Sequence, residues 1–211
     1  MEARTQLVPL QEMTPGSVAA IRNQVIKALV AQASKELGLP EERLVVRDIR
    51  PGSDLNIKAG SAAATANPAE EWDFPSTATS TGYEAICPTT NTMSNERYVA
   101  LFGIRDHRLG FGLHATATAV IPPVAGLGTV GMPSNVSLIK INVGGADKVI
   151  WDTKCMQVYR DNLCAFTSAA VIIPQNTAYQ IYYYKTTTYS CPIFMQLIGI
   201  VVEPRGKLIS P

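Results

Sequence analysis

Charge is scarce in this chain: Asp, Glu, Lys and Arg make up only 17% of its 211 residues, against about 25% in an ordinary globular domain. So little charge leaves a free surface poorly wetted, and a chain rich in Thr, Ser and Ala suits a surface that neighbours cover. The other use of the same composition is a neutral monomer with a hydroxyl-rich surface. Neither sign prevails, because 18 Lys+Arg against 17 Asp+Glu leave a net charge of +1. Nucleic-acid binding draws its affinity from neutralised phosphates and needs a basic excess or a basic run. The nearest cluster, Arg43, Arg47 and Arg50, is diluted by Glu41, Glu42 and Asp48. Direct contact with nucleic acid is therefore not expected.

Long apolar runs are missing as well. The most apolar stretch, 193–202, covers ten residues, whereas a membrane-spanning helix takes about 20. The opening MEARTQLVPLQEM has no apolar segment of the export type, so folding in a cytosol is expected and no membrane partner. The four cysteines, Cys87, Cys155, Cys164 and Cys191, form no C-x-x-C pair and are expected as reduced, mostly buried thiols. A two-residue turn at Asp161-Asn162 would hold Cys155 and Cys164 beyond disulfide reach. The two histidines, His107 and His114, are seven residues apart, which puts them on opposite faces of a strand and argues against a shared metal.

Catalytic signatures are equally thin. There is no G-x-S-x-G elbow for a nucleophile. Gly126, Gly128 and Gly131 run on into a strand pattern, where a phosphate loop would need a helix. Gly144-Gly145-Ala146-Asp147 reads as a hairpin turn, since no further acidic ligands follow at calcium-loop spacing. Glu41-Glu42 and Glu70-Glu71 are neighbours in sequence and read as solvated carboxylates. The expectation is a protein without enzymatic activity, metal or cofactor.

What the chain does contain is strand after strand. Residues 83–86, 97–104, 112–121, 136–143, 148–158, 163–173, 178–187 and 193–203 read as strands, separated by turn residues such as Asn95-Glu96, Gly144-Gly145 and Pro174-Gln175-Asn176. Ile139, Ile141 and Val143 alternate with Lys140 and Asn142, as on a strand with one buried face. Val171-Ile172-Ile173 and 198–202 are continuous apolar runs, which suit strands covered on both faces. Some eight short strands of this kind predict a mainly β fold, a jelly-roll-like β-sandwich.

Three segments precede the sandwich, whose own domain is placed at 83–211. Residues 1–13 read as an extended arm that only a partner would order, so their removal should leave the sandwich intact. An amphipathic helix follows, with Thr14 and Pro15 at its start and Gly38 and Pro40 at its end. Its stripe of Val18, Ile21, Val25 and Leu29 needs cover, from its own domain or from a neighbouring subunit. Residues 44–50 and 54–58 read as short strands on either side of Pro51-Gly52. Together these make an N-terminal unit, 1–58, joined through a loop or linker at 59–82. Trp72 and Phe74 in that linker are large aromatics that a mere spacer would not need, and they are candidate interface residues. The cluster Tyr182, Tyr183 and Tyr184 has three open readings: core, subunit interface, or a face that stacks on sugars.

Taken together, the arm, the helix and the compact, charge-poor sandwich resemble single jelly-roll virion proteins of capsid, penton or cement type. The paired strands expected around 149–153 and 170–182 also look like those of such sandwiches, and the resemblance covers residues 83–203. It implies a structural subunit that builds or staples an icosahedral shell, with copies of itself (a trimer by that analogy) and other shell proteins as partners. It also implies residence in the virion after folding in a host cytoplasm. The arm is not basic, which by the same analogy places it away from a packaged genome. The alternative function is a carbohydrate- or receptor-binding β-sandwich.

Overall fold

The computed structural model describes residues 4–57, 82–87, 91–106, 136–153, 164–185 and 195–206. The fold is mainly β. The strands are β1 (Arg4–Gln6), β2 (Val8–Pro9), β3 (Leu44–Asp48), β4 (Gly82–Ala85), β5 (Asn91–Thr92), β6 (Tyr98–Asp106), β7 (Val136–Val143), β8 (Ala146–Asp152), β9 (Cys164–Ile173), β10 (Ala178–Lys185) and β11 (Met195–Pro204), with helices α1 (Ser17–Leu37) and α2 (Pro51–Asp54). One sheet has the order β1-β8-β7-β10-β4, with β5 also on β10, and the other runs β2-β9-β6-β11-β3. All pairings are antiparallel except β1 with β8. From β3 onward each step crosses to the opposite sheet, apart from β4–β5 and the β7–β8 hairpin.

Side-chain alternation explains the layering. Ile139, Ile141 and Val143 of β7, Val149 and Trp151 of β8, and Tyr179, Ile181 and Tyr183 of β10 point inward to meet Val99, Leu101, Val171, Ile173 and Val201 of the other sheet. Lys140 and Asn142 lie on the outer face, half-buried, as the alternation predicts. Gly144 and Gly145 turn the β7–β8 hairpin with φ of 64° and 79°, the left-handed pair that a two-residue hairpin loop requires.

The second sheet is apolar on both sides because α1 covers its outer face. Val25, Leu29 and Ala33 of the helix pack on Leu44, Tyr98, Ala100, Phe102, Phe166, Ile200 and Val202. Continuous runs such as 198–202 follow from this double burial. The helix ends as predicted, on Gly38 in a left-handed conformation with φ 65°. Its start is later than predicted: Gly16 is the N-cap and Ser17 the first helical residue. Thr14, whose carbonyl accepts the Ser17 N–H, closes the turn before the helix.

In β6 the alternation slips by one residue after Phe102, while in β11 it runs unbroken, and the pairing registers of β6 change there. The register shifts between Leu101 and Gly103 and between Ile198 and Gly199. Close backbone approach explains why glycine occupies both positions. A Cβ at Gly103 would lie 2.7 Å from the Ala165 carbonyl oxygen, and one at Gly199 would lie 2.4 Å from that of Ala100. Gly199→Ala is therefore expected to cost about 1–3 kcal/mol through overpacking. The urea midpoint should fall with an unchanged slope.

Two expectations about the N-terminal part are corrected. Residues 54–57, the described part of the strand expected at 54–58, are not a strand. Pro51 opens the short α2, and the Asp54 carboxylate accepts the Arg50 N–H at 2.7 Å. Leu55 and Ile57, both fully buried, then drop into the core between the sheets. Residues 4–12 also belong to the body and are not a separate arm. β1 pairs with β8 and β2 with β9, so this one segment closes the same side of both sheets, and Leu7 between them is 1% exposed. The division at residue 58 has no counterpart in the packing: β3 is an edge strand of the second sheet, and Leu7, Leu55 and Ile57 share one core with the sandwich. The strands around 149–153 and 170–182, expected to pair, do not: β8 and β9 lie in opposite sheets and β10 pairs with β7, β4 and β5. The predicted strand 112–121, the linker up to residue 81, Cys155 and the Asp161-Asn162 turn lie outside the described residues.

Candidate functional site

The two outer faces of the sandwich differ. One lies under α1, where Val25 and Leu29 are buried and Val18 and Ile21 partly buried against their own sheet. The helix stripe thus finds its cover at home. The opposite face carries no helix among the described residues, and there the tyrosine cluster divides. Tyr183 is 2% exposed and belongs to the core between the sheets, which removes it from the interface candidates. Tyr182 and Tyr184 are half-buried on the outer face, one residue to either side. Trp72 and Phe74 lie outside the described residues, as do His107 and His114.

Strand register builds the outer cluster. Tyr184 of β10 is directly opposite Tyr83 of β4, and Tyr182 is opposite Lys140 of β7. Such cross-strand neighbours are within contact reach on one sheet face. The Tyr83 and Tyr184 rings meet edge to face at 5.1 Å between centroids. Lys140 Nζ lies 4.3 Å from the Tyr83 ring centroid and 5.1 Å from that of Tyr182, inside the range of cation–π attraction. The same ammonium lies 3.4 Å from Asp147 Oδ2, and Asn142 Nδ2 donates to Asp147 Oδ1 at 3.0 Å. Tyr83, at 38%, is one of the exposed large hydrophobic residues, with Val8 and Leu10.

A second constellation is buried. Arg47 of β3 grips Asp54 with two nitrogens at 2.7 Å each and reaches Glu203 of β11 through Nε at 2.9 Å. Arg97 adds contacts to Glu203 at 3.0 Å and to Asp54 at 3.3 Å. The carboxylate side chains are only 2% and 3% exposed, the guanidinium side chains 23% and 22%. Hydrogen bonding to Asp54 raises the Arg47 pKa above its ordinary value, against an opposing effect of burial. With every Arg47 nitrogen engaged and the four charges cancelling, the cluster works as an internal clasp between β3, α2, β11 and the approach to β6. Sequence reasoning missed it, although a charged residue inside an apolar strand run, Arg47 in LVVRD or Glu203 in GIVVEP, is the available signal.

Two further titratable groups are built into the packing. Burial pushes the Cys87 thiol up to about 11, so it stays protonated and unreactive at neutral pH. Burial, then the hydrogen bond to Glu36, raises the Tyr98 hydroxyl. No group of His, Cys, Asp and Glu among the described residues has the arrangement of a metal site. No helix among them is long and apolar enough to cross a membrane. Comparisons with protein-family models, curated proteins and solved structures return no match.

Proposed function

We propose that the chain is a structural subunit of a virion, a capsid or capsid-cement protein that builds or staples an icosahedral shell, and that its sandwich is a single jelly roll. The observation that carries this reading is strand order. Taken without the short strands β1, β2 and β5, the sheets run β3-β11-β6-β9 and β4-β10-β7-β8. Eight antiparallel strands wound back and forth between two sheets are the pattern of two Greek keys folded together. Low charge supports the same reading, because charged residues are depleted where subunits cover one another. Its partners are further copies of itself, with a trimer as the working symmetry, and other shell proteins; its place is the virion after folding in the host cytoplasm.

Size-exclusion chromatography with light scattering on the purified full chain tests this, followed by electron microscopy of what elutes early. A homo-oligomer or closed particles are expected at micromolar concentration. Replacing Trp72 and Phe74 together with Ser should shift the protein toward monomer while its β circular dichroism persists. A wild-type chain that stays monomeric and forms no particles overturns the proposal.

A further inference from the structure

We propose that the outer face of the first sheet is a docking site for a neutral carbohydrate, built by Tyr83, Tyr182, Tyr184, Lys140, Asn142 and Asp147. This site is independent of the shell reading, since it concerns what one subunit binds and not how subunits assemble.

These side chains are not among those that fill the core between the sheets. Inward positions of the same strands are filled by Ile139, Ile141, Ile181 and Tyr183, so the outer tyrosines lie outside the inter-sheet core. They are nonetheless held in place, by the 5.1 Å edge-to-face contact of Tyr83 with Tyr184 and by Lys140 against Tyr83 and Tyr182. Rings fixed before binding lose little conformational freedom when a ligand arrives. Beside them stands a donor–acceptor chain, Lys140 to Asp147 to Asn142. Adjacent donors and acceptors next to an aromatic surface meet the two needs of a sugar, whose C–H face packs on rings while its neighbouring hydroxyls both donate and accept.

Charge and size select among occupants. Lys140 and Asp147 cancel each other, so the cluster offers nothing to a strongly anionic or cationic partner. A stable protein–protein interface draws on roughly 20–30 residues a side. Six clustered side chains fall well short of that and match one or two sugar rings.

The test is an array of immobilised neutral oligosaccharides ending in galactose, glucose, mannose or N-acetylglucosamine, probed with the full chain. Calorimetric titration of the strongest binder follows. Binding is expected, weakened about tenfold or more by Tyr83→Ala and by Asp147→Ala, a loss of roughly one stacking or hydrogen-bonding contact. Tyr83→Trp should retain binding, and Lys27→Ala on the exposed side of α1 should leave it unchanged. Absence of binding to every neutral glycan overturns the proposal. So does a Tyr83→Ala protein that folds and binds like wild type. Loss of self-association in Tyr83→Ala, without any glycan binding by the parent, assigns the face to a second copy and also overturns it. Failure on the array leaves the light-scattering result untouched, so the two proposals fail separately.

Discussion

Asp54→Ala is expected to lower the free energy of unfolding by about 3–5 kcal/mol, the usual loss when one member of a buried ion pair is removed. Asp54 is the hub of the buried clasp: it accepts two nitrogens of Arg47, lies against Arg97, and also receives the Arg50 backbone N–H that shapes the turn into α2. Its removal leaves two guanidinium groups, each less than a quarter exposed, to share the single carboxylate of Glu203. The loss falls on β3, an edge strand held to the second sheet through β11 alone. Urea unfolding followed by circular dichroism reads the change directly. A double-mutant cycle with Arg47→Met and Asp54→Leu should give a coupling of at least about 1 kcal/mol. A loss below that size for Asp54→Ala would mean that water replaces the clasp without penalty.

Much of the sandwich was legible because its cause is local. Period-two alternation in β7, left-handed turn residues at Gly144-Gly145 and the double-sided apolar run in β11 each report the surroundings of their own strand. Six of the eight strands expected in the sandwich reappear within about two residues of the expected bounds, that expected at 148–158 is Ala146–Asp152 among the described residues, and that expected at 112–121 lies outside them. Misreadings arose where long-range packing overrode local pattern. Leu55 and Ile57 have strand spacing, yet they follow a turn closed by Asp54 and enter the core from an irregular segment. The register shifts at Gly103 and Gly199 depend on carbonyls of neighbouring strands, which no window of sequence contains.

The candidate site was half legible. Three consecutive tyrosines announced an unusual strand, and alternation alone sends Tyr183 to one face and Tyr182 and Tyr184 to the other. The partners that give the outer face its chemistry come from elsewhere: Tyr83 from a strand about 100 residues away in the chain, and Lys140 and Asp147 from the β7–β8 hairpin. Their meeting is a product of strand order, and strand order among non-consecutive strands is the least local property of a β fold.

The same distinction reverses the expectation for the N-terminus. Residues 1–13 lack a period, which reads in sequence as an unanchored arm, and among them 4–12 form only short elements of two or three residues. In the fold a three-residue strand and a two-residue strand suffice, because each adds to an existing sheet edge and Leu7 between them is buried in the inter-sheet core. Leu7→Ala is therefore expected to cost about 3 kcal/mol, within the range for a buried leucine whose cavity only partly collapses. At roughly 2–4 °C per kcal/mol for a chain of this size, the melting temperature should drop by about 6–12 °C. Deleting residues 1–13 should cost more, since it also strips β1 and β2 from the edges of β8 and β9 and leaves their backbone groups to water. Differential scanning calorimetry of both variants at one protein concentration decides the matter. Should the deletion melt at the wild-type temperature, these contacts contribute nothing to the body's stability, and the arm is after all a detachable element.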